Sequence, residues 1–324
     1  MIRTPLWISL VVGGALAAHG GETSPGTTKI LTWKDGKSAA LFLMFDDDMS
    51  SQKDNAVPEL EKRGLTGVFY VNPDRGWFKA EHKTFWQEEL PKRGHEYGIH
   101  TMTHKVTDEA DAEWEITECS NILRRVNPPK GISPLMSYAR PGGKGAFQVS
   151  DDVEKRLLEK NHLIKRTSDT SIMYVGQDLD HLKRWVDAMI AKQQNGRICF
   201  HGVGGQWLPV KMDVFIPFLD YLMTHKDDLW IDGHMPIHKY ATERKGAAVS
   251  VKNADETCIR LELTSTADIK LYDQPLTLQT SVPASWKACT VVQGDSQRKV
   301  AVSKGTVRYD AVPGGEQITL RMVD

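Results

Sequence analysis

Residues 39–48 read AALFLMFDDD, seven apolar residues closing on three consecutive aspartates. An unbroken apolar run of this length predicts a strand buried on both faces, the kind found in a parallel sheet covered by helices. Carboxylates at the carboxyl end of such a strand stand where ligand sites gather in βα proteins. Three adjacent anions repel one another, so Asp46, Asp47 and Asp48 imply a cation; the alternative is an acidic helix start facing solvent.

The pattern repeats down the chain. The polar segment after the run closes at Lys62-Arg63-Gly64, a helix stop, and LTGVFYV follows as the next strand. HEYGIH, HLIKR, RICFH and LWI continue the series, each separated by a helical segment. From Glu109 to Val126, residues Cys119, Ile122, Leu123 and Val126 share one face, Thr107 and Asp108 can cap the start, and Pro128-Pro129 ends it. From Asp178 to Gln193 the inner stripe is Leu179, Leu182, Val186, Met189 and Ile190, with Gly196 past the end. Both read as core-facing helices without chemistry. After about Lys245 short alternating runs such as TCIRLELT, PLTLQT and TVRYD predict a small β-sandwich with no metal-ligand cluster, a covering or spacer module rather than a sugar binder. The expected organisation is a signal peptide over 1–20, an α/β catalytic domain over 30–244 and a β-sandwich accessory domain over 246–324.

Composition narrows the partners. With 41 Lys and Arg against 42 Asp and Glu, the net charge of −1 offers no single-sign field for nucleic acid or an anionic membrane. The 40% hydrophobic content over 324 residues suffices for one large core and a smaller module. At the start, one Arg precedes an apolar run from Leu6 to Ala18 with small residues around Ala15 and Ala17, which reads as a cleaved signal peptide. That run is shorter than the ~20 residues a membrane span needs, so no stable membrane insertion is expected and the product is secreted, periplasmic or held at the cell envelope. Four cysteines are too few to build the fold; Cys258 and Cys289, in one module, are either bridged or free.

Three further stretches bear on the aspartates. GIHTMTH (98–104) sets His100 and His104 four apart after a strand; if the intervening residues form one helical turn, both imidazoles face one ion. Asp47 is the obvious third ligand, and two histidines with one carboxylate leave coordination positions open for water and substrate. YARPGG places Arg140 beside glycine backbone, where its guanidinium could orient a carboxylate. RICFHGVGG puts His201 at the end of another strand; in isolation such a histidine is more often a core residue.

Phe45-Asp46-Asp47, His100-Thr101-Met102-Thr103-His104, Arg140-Pro141-Gly142 and His201 occur in the order and approximate spacing of the polysaccharide deacetylases, and residues 39–244 resemble that family of NodB-homology carbohydrate esterases. The resemblance implies a distorted (β/α) barrel of NodB type and a divalent metal, usually zinc, on Asp47, His100 and His104. It makes Asp46 the general base, His201 the general acid, Arg140 the residue holding the base, and the backbone N–H near Gly143 the group facing the oxyanion. Asp169, in RTSDTS, is the candidate to orient His201. The chain departs from the family where Asp48 replaces the usual Gly, Cys199 the usual Leu, and Gly143 a bulky aromatic. Trp207, six residues past His201, is the first candidate for stacking on a sugar, while packing is the stronger reading for Trp77 and Trp86. The expected activity is removal of acetyl groups from a glycan; a hydrolase of small cyclic amides, or a glycan-binding pseudoenzyme, are the rivals on the same scaffold.

Overall fold

In the computed structural model, residues 24–75 and 77–323 are described; the predicted signal peptide lies outside the described residues. Among them, no helix is long and apolar enough to cross a membrane. A short strand β1 (Thr28–Ile30) precedes the βα series: β2 (Ala39–Asp46), β3 (Gly67–Val71), β4 (Glu96–Ile99), β5 (Met136–Tyr138), β6 (Leu163–Lys165), β7 (Thr170–Met173), β8 (Asn195–Phe200) and β9 (Leu229–Ile231). The helices are α1 (Val57–Glu61), α2 (Glu109–Val126), α3 (Asp151–Lys160), α4 (Leu179–Ala191), α5 (Met212–Thr224) and α6 (His234–Lys245). Strands β2 to β9 form one parallel sheet in the order β6-β5-β4-β3-β2-β8-β7. The eighth strand, β9, pairs with the first half of β2, whereas β3 pairs with its second half. No ladder joins β6 to β7 among the described residues, so the sheet is a curled, open barrel, the distorted (β/α) barrel expected.

The period-2 alternation of strands divides each of them between two cores. Leu41, Leu43 and Phe45 of β2 join Phe69, Ile99, Ile198 and Phe200 against the helices. Ala40, Phe42 and Met44 join Val68, Tyr70, Ala139 and Cys199 in the barrel interior. The continuous apolar run of β2 is therefore a strand with no solvent face, and all eight of its residues are buried.

Helix α2 has the expected bounds, and Asp108 caps it by accepting the Asp111 N–H at 3.0 Å, a cap worth about 1 kcal/mol. Helix α4 stops before Gly196: it is capped by Lys192, Gln193 takes the left-handed conformation (φ 56°), and Gly196 already lies within β8. Sequence patterning missed β5 and β7, three and four residues long, which are too short to show a period.

Seven antiparallel strands follow: β10 (Ala248–Ala254), β11 (Cys258–Thr264), β12 (Leu276–Ser281), β13 (Ala288–Gln293), β14 (Ser296–Ala301), β15 (Thr306–Ala311) and β16 (Ile318–Val323). They form a five-stranded sheet, β10-β11-β16-β13-β14, and a three-stranded sheet, β1-β12-β15. Ile259, Leu261, Leu276, Leu278, Val307 and Leu320 from both sheets are buried in one cluster, which makes the pair a β-sandwich. Its smaller sheet takes its edge strand β1 from ahead of the barrel. The four cysteines are free thiols. Cys258 and Cys289 flank β16 on opposite sides, opposite Arg321 and Met322, so two strand spacings, about 9.5 Å, separate them, beyond disulfide reach.

Candidate active site

The inward phase of β2 runs 40, 42, 44 and ends on Asp46, which is 2% exposed. His100 and His201 stand one residue past β4 and β8 in the same phase, so the barrel's curvature aims three chemically active side chains at its carboxyl-end mouth. Asp47 follows Asp46 with φ 75°, a left-handed conformation that a non-glycine residue adopts at a cost of about 1–3 kcal/mol and that turns its carboxylate to the mouth.

The HTMTH loop makes no helical turn. Thr101 and His104 both take φ 66°, and His104 N donates to Thr101 Oγ1 at 3.2 Å. The two imidazoles converge all the same, with ring centroids 4.9 Å apart. Two residues that the sequence did not single out pin the loop. Glu115 of α2, 1% exposed, accepts the Thr103 N–H at 2.9 Å and the Thr103 hydroxyl. Asn72, past the end of β3, donates from Nδ2 to the His100 and Thr101 carbonyls, and its N–H meets Asp48 Oδ1 at 3.0 Å. Asp48 is thereby drawn into the core, fully buried; burial pushes its carboxyl up to about 7 against the pull of that hydrogen bond.

One ligand atom from each of Asp47, His100 and His104 lies within 4.8 Å of the others. Asp47 Oδ1 is 3.8 Å from His100 Nε2 and 3.6 Å from His104 Nε2. His100 Nδ1 lies 2.9 Å from the Ala139 carbonyl, which can only accept, so Nδ1 carries the proton and the Nε2 lone pair faces Asp47. Burial holds the imidazolium forms of His100 and His104 below the usual histidine range, against the attraction of nearby carboxylates, and keeps both rings neutral as ligands. Two neutral histidines, one carboxylate and a backbone acceptor behind the buried ring are the donor chemistry of a divalent metal site, and the residues fit such an ion.

The base partner differs from the expectation. Arg166, one residue past β6, grips Asp46 with both ends of its guanidinium, Nη1 to Oδ1 at 2.5 Å and Nη2 to Oδ2 at 2.7 Å. Its guanidinium carbon sits 4.6 Å from the centre of the Tyr70 ring. Burial alone would raise the Asp46 carboxyl; Arg166, with help from His100 and His201, overcomes this and holds it well below the ordinary carboxylate range. Arg140 is claimed elsewhere: its Nε donates to Glu154 Oε1 at 2.8 Å, and its Nη2 to Glu154 and Asp151, all in the first turn of α3. The reason is that Glu154 is 3% exposed and needs cations, which Arg140 and Lys165 supply. The position of Arg166 at the end of the apolar run HLIKR was the signal available.

Asp169 does not reach His201. It exchanges two hydrogen bonds with Asn195 at the amino end of β8, six residues or about 20 Å of strand from His201. His201 itself is held by its carbonyl, which accepts from Gln52 Nε2 at 2.9 Å, while its buried Nδ1 has no hydrogen-bond partner among the described residues. Gly143 lies exposed in the loop after β5 with φ 101° and open space around it. Trp86 is buried in the helix-side core and Trp77 packs against the same core, whereas Trp207 is 63% exposed. The loop presenting it is tied down: Gly202 N donates to the Trp207 carbonyl at 2.8 Å, and Gln206 Oε1 accepts from Ser51 N at 2.8 Å. Arg75, not foreseen, places Nη1 3.2 Å from Asp47 Oδ1.

The family model described as polysaccharide deacetylase matches residues 34–157. A curated relative, a gellan lyase from Bacillus sp, is 20% identical over 309 residues, taking in 81% of this chain, while the chain spans 12% of that protein's length. Among solved structures, the catalytic domain of a peptidoglycan N-acetylglucosamine deacetylase from Eubacterium rectale is similar at 16% identity and a TM-score of 0.44, covering 63% of this chain and 93% of its own. A CE4 family pseudoenzyme from Bacillus anthracis is similar at 13% identity and a TM-score of 0.44, covering 60% and 63%. Residues 34–157, which carry the aspartate run, the histidine pair and Arg140, are thus the part of the chain that is similar to the polysaccharide deacetylase family.

Proposed function

We propose that this protein is an exported, metal-dependent hydrolase that releases acetate from an acetylated polysaccharide or oligosaccharide. The observation that carries the reading is the convergence of Asp47, His100 and His104 beside a buried, ionised Asp46. A divalent metal held by those three residues, zinc being the best match to the donor set, would supply a Lewis acid and an acidified water. Asp46, kept anionic at every working pH, is the group to accept a proton. His201, with its Nδ1 uncommitted, is the group to deliver one to the leaving nitrogen or oxygen. The open backbone at Gly143 leaves room for a substrate oxygen to approach its N–H. Trp207 offers a rigidly mounted ring for a sugar face beside the mouth. Arg140 and Asp169 have no part in this chemistry.

The test is acetate release from a panel of N-acetylated and O-acetylated glycans, with chelator and metal add-back. Activity that chelation abolishes and metal restores is expected. Asp46→Asn and His201→Ala keep the metal and lose turnover; full activity in either variant would overturn the role assigned to that residue.

A further inference from the structure

Resting on the metal reading above, we infer that Arg166 is a positioning residue that decides which of two adjacent carboxylates becomes a metal ligand. Asp46 Oδ2 and Asp47 Oδ1 lie at the same distance, 3.8 Å, from His100 Nε2. Asp47 alone also approaches His104, at 3.6 Å, yet Asp46 is near enough to His100 to join the same ion, and two neighbouring carboxylates on one ion would leave none to act as base.

The cations behind them keep Asp46 from following Asp47 onto the ion. Arg166 engages both Asp46 oxygens, its side chain is 9% exposed, and it rests on the Tyr70 ring, whose hydroxyl is anchored to Ser137 Oγ at 2.6 Å. Leaving that guanidinium would strand a buried charge, a cost that keeps the pair together. Arg75 makes a single contact with Asp47 at 3.2 Å from a side chain that is 46% exposed, so solvent can replace Asp47 there. Asp47 is therefore free to turn to a cation and Asp46 is not.

The experiment loads cobalt(II) as a spectroscopic stand-in and compares the wild type with Arg166→Met, Arg166→Lys and the double variant Arg166→Met with Asp46→Asn. In Arg166→Met the released Asp46 joins the ion as a second carboxylate: the added ligand charge raises affinity by about tenfold, and the visible absorption weakens and shifts as coordination expands. The double variant, which removes both partners and leaves no stranded charge, returns the spectrum and affinity to wild-type values. Arg166→Lys, able to hold one oxygen, falls between, and it carries the test should Arg166→Met fail to fold. An unchanged spectrum in the arginine variants, or a weakened affinity that Asp46→Asn does not reverse, would overturn the inference. Lack of acetate release by the wild type would refute the deacetylase reading while these spectra still decide the role of Arg166.

Discussion

Replacing Glu115 by Ala should loosen the metal site without touching a ligand. The loop between His100 and His104 holds two non-glycine residues at φ 66°, each costing about 1–3 kcal/mol, and such backbone persists only where its surroundings over-determine it. Glu115 supplies much of that constraint, accepting both the N–H and the hydroxyl of Thr103 in a position 1% exposed. A hydrogen bond to a charged acceptor contributes about 1.5–3 kcal/mol, so losing the two should lower unfolding free energy by about 3–6 kcal/mol. Metal affinity should fall about 10–100-fold, as it does when an outer partner of a ligand is removed, which is about 1.4–2.8 kcal/mol. Glu115→Gln keeps an oxygen for the Thr103 N–H and should lose much less of both. Calorimetric titration of the metal-free variants with zinc, alongside chemical unfolding, measures the two effects. A folded Glu115→Ala variant that binds zinc as tightly as the wild type would refute the argument that α2 fixes the histidine loop.

Two further outcomes follow from the same structure. Trp207→Ala should raise KM for a glycan roughly 2–12-fold, the equivalent of about 0.5–1.5 kcal/mol of stacking, with kcat and metal content unchanged; steady-state kinetics separates the two constants. Glu96 is half-buried at the amino end of α6, accepting the Met235 N–H, and desolvation together with repulsion from Asp232 pushes its carboxyl up to about 8 from the ordinary 4.5. Because the folded value is the raised one, the stability gained from its neutral form is complete below the ordinary value and is lost as pH rises through about 8. Between about pH 6 and about pH 9 the wild type should therefore lose about 2–3 kcal/mol that Glu96→Gln does not, read by urea unfolding at each pH.

Much of the barrel was legible because a strand buried on two faces leaves an unbroken apolar run, as in AALFLMF, and because helices of the length of α2 show a period and caps. Strands β5 and β7 fell below the length at which alternation can be seen, and β1 was invisible because its partner β12 is some 250 residues away. In the site, Asp47 and His100 begin the loops after their strands, where spacing draws attention to them, whereas His104 comes alongside through left-handed backbone rather than the helical turn that the spacing suggests. The second ring of residues could not be read from spacing. Arg140 and Arg166 both sit just past a strand, and which one reaches Asp46 depends on where α3 places Glu154, a tertiary fact. Glu115 and Asn72 likewise act through loops distant in sequence, and their neighbours give no hint of it.

The aspartate run shows how far local electrostatics can be read from sequence. Three adjacent carboxylates suggested a cation because their repulsion must be answered somehow. The fold answers it three ways, using left-handed backbone at Asp47 and Asp48 to send successive side chains into different surroundings. Asp46 goes inward and is neutralised by Arg166. Asp48 goes into the core beside Asn72, where burial favours its protonated form. Asp47 alone is left with an exchangeable partner and two histidines in front of it. The repulsion that pointed to a metal is thus mostly dissipated by protein groups, and what calls for the ion is the single remaining carboxylate together with the lone pairs of His100 and His104. A run of acids in sequence is weak grounds for a metal site; one acid isolated from its neighbours by the fold, facing two neutral imidazoles, is strong grounds.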